Sequence, residues 1–263
     1  NWRFSELSLG IAKVQLWGAE FLRPYATFPH PNVLGGTSAI FFFLAIHVYQ
    51  QSKSNRYWVM MGIALLWVLI ILSFSRSAWI GIGLGVCSIY LLRWMSNKGT
   101  LKIDPIILVL LAASLIFVVP YTAKLFLVNE QSVSERIYLL EKSIAIISGH
   151  PLIGSGMGNF LPALLDLPKE SSPRVVQPVH NTLFLVAAEV GLIGVISLFF
   201  VWVYQLLGTC KIFLRKGGNV LAGVLSIILS MWMFDHYLWS MSIGQSVFWL
   251  VIGLGLAMIQ SGK

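Results

Sequence analysis

Two cysteines in 263 residues, Cys87 and Cys210, exclude a disulfide framework, and neither stands in a metal-binding spacing. Charge is scarce as well. Only 11% of the residues are charged, whereas 57% are hydrophobic, and mean hydropathy is +0.81. A soluble domain cannot hide that much apolar surface, so composition excludes the soluble classes and implies an integral membrane protein. The formal charge of +8 would suggest nucleic acid in a soluble chain. Here its placement reads as membrane topology, and no nucleic-acid partner is expected. The chain starts at Asn1 with neither a methionine nor a signal peptide, as expected for a piece of a longer protein.

A bilayer core of about 30 Å needs roughly 20 apolar helical residues. Seven runs qualify: 33–50, 57–74, 78–94, 105–121, 182–207, 220–237 and 243–260. The expected fold is therefore an all-α, multi-pass helical bundle. Residues 1–32 form an outer segment, 33–121 four spans, 122–181 a long outer loop and 182–263 three more spans. The turns at 51–56, 95–104 and 208–219, with their flanks, carry Lys53, Arg56, Arg93, Lys98, Lys102, Lys211, Arg215 and Lys216, against the single acid Asp104. Lys263 follows the last span on the same side. That excess places those turns in the cytoplasm. Tyr57, Trp58, Trp94, Tyr121, Tyr237 and Trp239 sit near span ends and read as an aromatic belt rather than a sugar platform. Small residues at four-residue spacing, Gly81 and Gly85, Ala187 and Gly191, Gly253 and Ala257, read as helix-packing faces.

The 122–181 segment is too long for a connector. Ser132 and Glu135 make a possible capping box, and Ile137, Leu140, Ile144 and Ile147 recur at helical spacing. An amphipathic helix on the outer membrane face is expected. Arg136 would fall in its first turn, where a cation opposes the helix dipole at about 0.3–1 kcal/mol. It reads either as a solvated arginine near Glu135 or as part of an anion site suited to phosphate. Gly154, Gly156 and Gly158 then alternate. No strand precedes them, so a tight re-entrant turn is favoured over a nucleotide loop.

Three further groups are out of place in so apolar a chain. Arg76 stands in Ser73-Phe74-Ser75-Arg76-Ser77-Ala78-Trp79, between two spans, where it either snorkels to headgroups or clamps an anionic lipid head. His180 opens a span. A helix N-terminus disfavours imidazolium, so the ring should be neutral and able to take a proton from a hydroxyl; the competing role is a capping histidine. Glu189 lies about 13–14 Å further along the helix on the opposite side, so it should not touch His180. It pairs with a buried polar group or lines a cavity.

His180-Asn181, nine residues, then Gly191-Leu192-Ile193-Gly194 resembles the H-[NSQ]-x9-G-x-x-G signature of the O-antigen ligase and polymerase family. Residues 26–36 (ATFPHPNVLGG) look like that family's outer loop before a span. Residues 75–81 (SRSAWIG) look like its S-R-small motif, and 134–160 like its outer-loop arginine helix followed by P-L-x-G-x-G-x-x-F. The resemblance implies a transferase of the bacterial inner membrane, with its active site on the extracytoplasmic face. Such an enzyme moves a glycan from an undecaprenyl-pyrophosphate donor to an acceptor hydroxyl on a lipid or glycan, without metal, nucleotide sugar or cofactor. It implies His180 as the group that activates the acceptor, and Arg76 and Arg136 as pyrophosphate ligands. Arg174, on the same outer face, joins that set. Asn181, Glu189, Gly191 and Gly194 are supporting residues, as is Asp235, which could match an acid the family carries near its last spans. His236 beside it reads equally as an interfacial histidine. Ligase and polymerase chemistries stay open, since only the acceptor differs, and a glycan-to-protein transferase is a further option. A transporter or flippase would exploit Glu189 and the glycine-rich spans, although no inverted repeat is visible. A non-catalytic scaffold is the remaining alternative.

Overall fold

A computed structural model describes residues 11–16, 19–52, 54–95, 130–167, 176–212 and 218–261. A small antiparallel hairpin, β1 (Lys13–Leu16) and β2 (Ala19–Leu22), precedes the helices. They are α1 (Pro31–Gln51), α2 (Arg56–Leu72), α3 (Arg76–Met95), α4 (Glu130–Gly149), α5 (Phe160–Asp166), α6 (Thr182–Ile212), α7 (Gly218–Phe234), α8 (Tyr237–Ser240) and α9 (Ser242–Ser261). Among the described residues, α1, α3, α6 and α9 are long and apolar enough to cross a membrane, and α2 and α7 are shorter apolar helices. The expected spans 33–50, 78–94, 182–207 and 243–260 fall on the four long helices, and 57–74 and 220–237 on the two shorter ones. The expected span 105–121 lies outside the described residues, as do Tyr121 and Arg174.

Small residues let the bundle close. Gly81 and Gly85 of α3 face α7, where a Cβ would stand 3.0 Å from the Ile227 backbone and 3.2 Å from the Gly223 backbone respectively. The two helices are also joined by Ser230 Oγ donating to Ser77 O at 2.7 Å and by the Ser88 and Ser226 hydroxyls at 3.1 Å. Without water to compete, such small-residue contacts and buried hydroxyls hold membrane helices together. Phe42 of α1 packs on Trp67 of α2 with ring centroids 5.2 Å apart. Gln205 of α6 donates to Ile252 O of α9 at 2.8 Å. The Gly253–Ala257 face is a correction. Both residues are exposed, and it is Gly255, buried under Gln205, that lets α9 approach α6. Gly255 is two residues on from Gly253, close to the opposite side of the helix.

A second cluster joins Leu139 and Ile146 of α4, Phe160 and Leu164 of α5, Val179, and Leu185 and Ala188 of α6. It corrects half of the expected amphipathic face, since Leu140 and Ile147 pack against this cluster. Ile137 and Ile144 are exposed, and the buried stripe is Leu139, Ser143 and Ile146. The helix also begins at Glu130, so Ser132 lies within it rather than before it, and Arg136 falls in the second turn, beyond the strongest dipole field.

The turn between α2 and α3 is tied down from both sides. Phe74 takes a left-handed φ of 49°. Arg23 donates to Ser73 O at 2.9 Å from Nε and at 2.7 Å from a terminal nitrogen. Ser75 Oγ accepts from Ala78 N at 3.4 Å, at the start of α3. This fixes Arg76 at the first residue of α3. α1 and α6 begin at that same end of the bundle and α7 finishes there, whereas Arg56, Arg93 and Lys211 lie at or near helix ends pointing the other way.

Candidate active site

Glycine at 191 breaks α6 about three turns beyond the signature histidine. Its φ of 73° and ψ of −171° lie outside the helical region. A broken helix leaves backbone groups without partners, and at membrane depth that is tolerated only where protein supplies them. The loop after α4 does so. Leu192 N donates to Pro151 O at 2.9 Å and Ile193 N to Leu152 O at 3.3 Å. In return Ala188 O accepts from Ser155 N at 2.8 Å, and Glu189 O from Gly156 N at 2.9 Å. The approach is backbone against backbone. A Cβ on Gly191 would enter the Leu152 peptide, and one on Gly154 (φ 69°) the Glu189 peptide. The two glycine motifs of the sequence are thus two halves of one joint.

Glu189 completes that joint. Its carboxylate accepts from Phe160 N at 3.3 Å and from Trp239 Nε1 at 2.8 Å, pinning α6 to the start of α5 and to α8. Trp239 is therefore not part of an aromatic belt. Neither is Tyr237, which is 1% exposed and sits against Gly36 of α1. Tyr57, Trp58 and Trp94 are exposed near helix ends, where a belt would be. Gly194 stays helical, and a Cβ there would meet only side chains of its own helix. Asn181 caps α6. Its Oδ1 accepts from Leu183 N at 3.0 Å and Phe184 N at 3.2 Å, and its Nδ2 donates to Met233 O at 3.3 Å.

His180, one residue before that cap, belongs to a cluster drawn from several elements. The His180 and His236 rings are 5.2 Å apart between centroids. One nitrogen of each, and one carboxylate oxygen of Asp235, lie within 4.8 Å of one another. Asp235 and His236, between α7 and α8, are buried. Asp235 accepts from His236 N at 2.8 Å and from Asn32 Nδ2 at 2.8 Å. Asn32 in turn accepts from Arg23 at 2.7 Å, and its own N–H donates to His30 Nδ1 at 3.1 Å. Buried His180 Nδ1 has no partner among the described residues.

The field of the cluster keeps the imidazoles neutral. Burial pulls the His180 ring down to about 4, reinforced by His236, Arg136 and His30 and opposed by Asp235. Burial also lowers His236 against the pull of Asp235. His30 is lowered chiefly by burial, with Asp235 opposing and Arg23 and His236 assisting. Arg136 is lowered by burial and by the neighbouring Arg76 charge, again with Asp235 opposing. Arg76 and Arg136 thus share one region, and among the described residues neither has a carboxylate within 4.0 Å. Two like charges with no carboxylate in ion-pair contact among the described residues make a place for an anion.

Of the residues singled out in the sequence, the structure brings His180, Asp235, Arg136 and Arg76 together and sets Glu189, Gly191 and Asn181 in the framework beneath them. It adds His30, Asn32, Arg23 and His236. His30 and Asn32 stand in the PHPN stretch, where a histidine and an asparagine opening a span carry the same signal as His180-Asn181. As for metal, His180, Asp235 and His236 are the candidate ligands. A zinc ion bound at about 2.0–2.2 Å would draw its ligand atoms tightly together. The three atoms lie within 4.8 Å of one another, near enough for a single bound group to reach all of them. Both Asp235 oxygens already accept hydrogen bonds.

No curated protein matches the chain. Residues 61–199, just over half of it, match the family described as O-antigen ligase. The matched segment runs from α2 through Arg76, Arg136, His180 and the Gly191 joint, while Asp235 and His236 follow it. On that match the chain belongs to the O-antigen ligase family of membrane glycan transferases.

Proposed function

We propose that this chain transfers a glycan from an undecaprenyl-pyrophosphate donor to an acceptor hydroxyl at the extracytoplasmic face of the bacterial inner membrane. Arg76 and Arg136 hold the pyrophosphate, with Arg174 joining them. The observation that carries the reading is a neutral, recessed imidazole, His180, beside two arginines that have no carboxylate counter-ion among the described residues. The acceptor O–H gives its proton to His180 as its oxygen attacks the anomeric carbon. The bond from that carbon to the phosphate oxygen breaks, and undecaprenyl pyrophosphate leaves with the bonding pair, its charge stabilised by the arginines. The configuration at the anomeric carbon inverts. Pyrophosphate is already a good leaving group, so positioning and one proton transfer are the main tasks, and no step calls for a metal. Placing the site on the outer face rests on the positive charges at the opposite end of the bundle.

Ligase and polymerase share this site. A transporter reading loses its best residue, because the Glu189 carboxylate is already held by two N–H donors in the α6 joint. The test incubates membranes holding the full chain with labelled undecaprenyl-pyrophosphate glycan, with and without acceptor lipids, beside His180→Ala. One-step transfer to the acceptor, lost in the variant, means ligase. A ladder of lengthening lipid-linked glycan, lost in the variant, means polymerase. Label that crosses the bilayer without a new glycosidic bond overturns both.

A further inference from the structure

His180 presents an unexplained feature: Nδ1 is buried, yet it has no hydrogen-bond partner among the described residues. Buried polar atoms are paired in all but a few cases, and an exception needs a reason. The nearby imidazole supplies one. Ser240 Oγ donates to His236 O at 3.1 Å and lies 2.6 Å from His236 Nδ1. A hydroxyl has one hydrogen. With that hydrogen on the carbonyl, Nδ1 of His236 is the donor and Nε2 a bare lone pair, and this is the tautomer we take. His236 Nδ1 is thus occupied, and Nε2 is its free nitrogen. Its backbone N–H is also fixed, on Asp235 Oδ1 at 2.8 Å.

We propose that His236 is the positioning residue of His180. Its Nε2 lone pair accepts from His180 Nδ1–H, which fixes the His180 tautomer with Nε2 as the base. The chain of donors is His180 Nδ1–H to His236 Nε2, His236 Nδ1–H to Ser240 Oγ, and Ser240 O–H to His236 O. It follows the general arrangement in which a base is oriented by a third group. Such contacts are often long in an empty site and tighten once substrate is bound. The ring centroids are 5.2 Å apart and one nitrogen of each ring lies within 4.8 Å of the other, so the two imidazoles stand within reach of such a contact. When His180 takes the acceptor proton, both its nitrogens carry hydrogens. The Asp235 carboxylate, and the lone pair of a neutral His236, then stabilise a cation that Arg136 and His30 would otherwise repel.

This inference rests on His180 being the base, and the experiment separates the two. His236→Phe keeps the ring volume and removes the acceptor. Its kcat is expected to fall about 10- to 100-fold while donor KM stays within about twofold. His236→Gln, which returns an amide oxygen near the place of Nε2, is expected to recover most of the loss. Ser240→Ala releases the tautomer and is expected to lower kcat about 3- to 10-fold at unchanged KM; it carries the test should His236→Phe fail to accumulate in membranes. Wild-type kcat in His236→Phe or in Ser240→Ala, a loss confined to KM, or a glutamine variant as slow as the phenylalanine one overturns the proposal. An inactive His180→Ala beside a fully active His236→Phe would sink this inference alone. A fully active His180→Ala would sink the function it rests on.

Discussion

The joint at Gly191 and the cluster at His180 lie on the same helix, yet they are built on opposite rules. In the joint, backbone groups opened by the broken helix are met by the loop at 151–156, and both carboxylate oxygens of Glu189 accept hydrogen bonds. In the cluster, among the described residues, a buried imidazole nitrogen is left without a partner and two arginines close enough to feel each other's charge have no carboxylate within 4.0 Å. Satisfied groups make architecture, because burying them unpaired would cost about 1–3 kcal/mol each. Groups held unsatisfied at a fixed position are free to act on a substrate. The rigid joint is what allows the cluster to keep that arrangement.

The contrast can be broken from either side. His180→Ala should lower kcat by about 1000-fold at nearly unchanged donor KM, within the usual range for a general base, as read from initial rates on a lipid-linked donor. The joint should fail by unfolding instead. Gly191→Ala places a methyl on the Leu152 peptide at a φ that L-residues avoid, and should cost about 3 kcal/mol or more. A lower melting temperature in detergent, with kcat per folded molecule less affected, is the expected result. Arg136→Ala should act on the cluster alone, raising donor KM about 10- to 100-fold through loss of a charge-assisted contact. Equal donor KM in the Arg76→Ala and Arg136→Ala variants and the wild type would remove the arginines from the donor site. Glu189→Gln should cost about 1–3 kcal/mol of stability, because an amide cannot accept from both Phe160 N and Trp239 Nε1, and should leave donor KM unchanged.

The smallest effect lies in the pH dependence. The folded His180 is held near 4, below its ordinary 6.5. The unfolded chain therefore binds more protons between those values. The stability from keeping this ring neutral is fully present above pH 6.5 and is lost as the pH falls through about 4. A neutral base also stays competent in mild acid. The acid limb of kcat/KM should lie below 6.5, and a limb at or above that value would mean that the titrating base is not this buried ring.

Much of this division was legible in the sequence. Helices could be read from apolar runs, because a membrane span must be long and apolar whatever it packs against. His180, Arg76 and Arg136 could be singled out because a charge or titratable ring in such a chain needs a reason. The signature glycines were visible as a motif but not as a joint, because Gly154 and Gly191 meet only after the chain has returned on itself. The face of α4 is only half legible, with Leu140 and Ile147 packed and Ile137 and Ile144 exposed, because helical spacing marks an apolar stripe without saying which side meets protein. Asp235 and His236 were hard to place because their roles depend on Asn32 and Ser240, and neither contact leaves a spacing in the sequence. The PHPN stretch carries a legible signal, since it sets His30 and Asn32 at the mouth of α1.

The most direct test is single-turnover release of undecaprenyl pyrophosphate from a labelled lipid-linked glycan, with acceptor present, comparing the full chain with its His180→Ala variant in the same membranes. The account predicts that the variant still binds donor and releases it about 1000-fold more slowly. Release at the wild-type rate would contradict a proton transfer to His180 and move the chemistry elsewhere on the outer face.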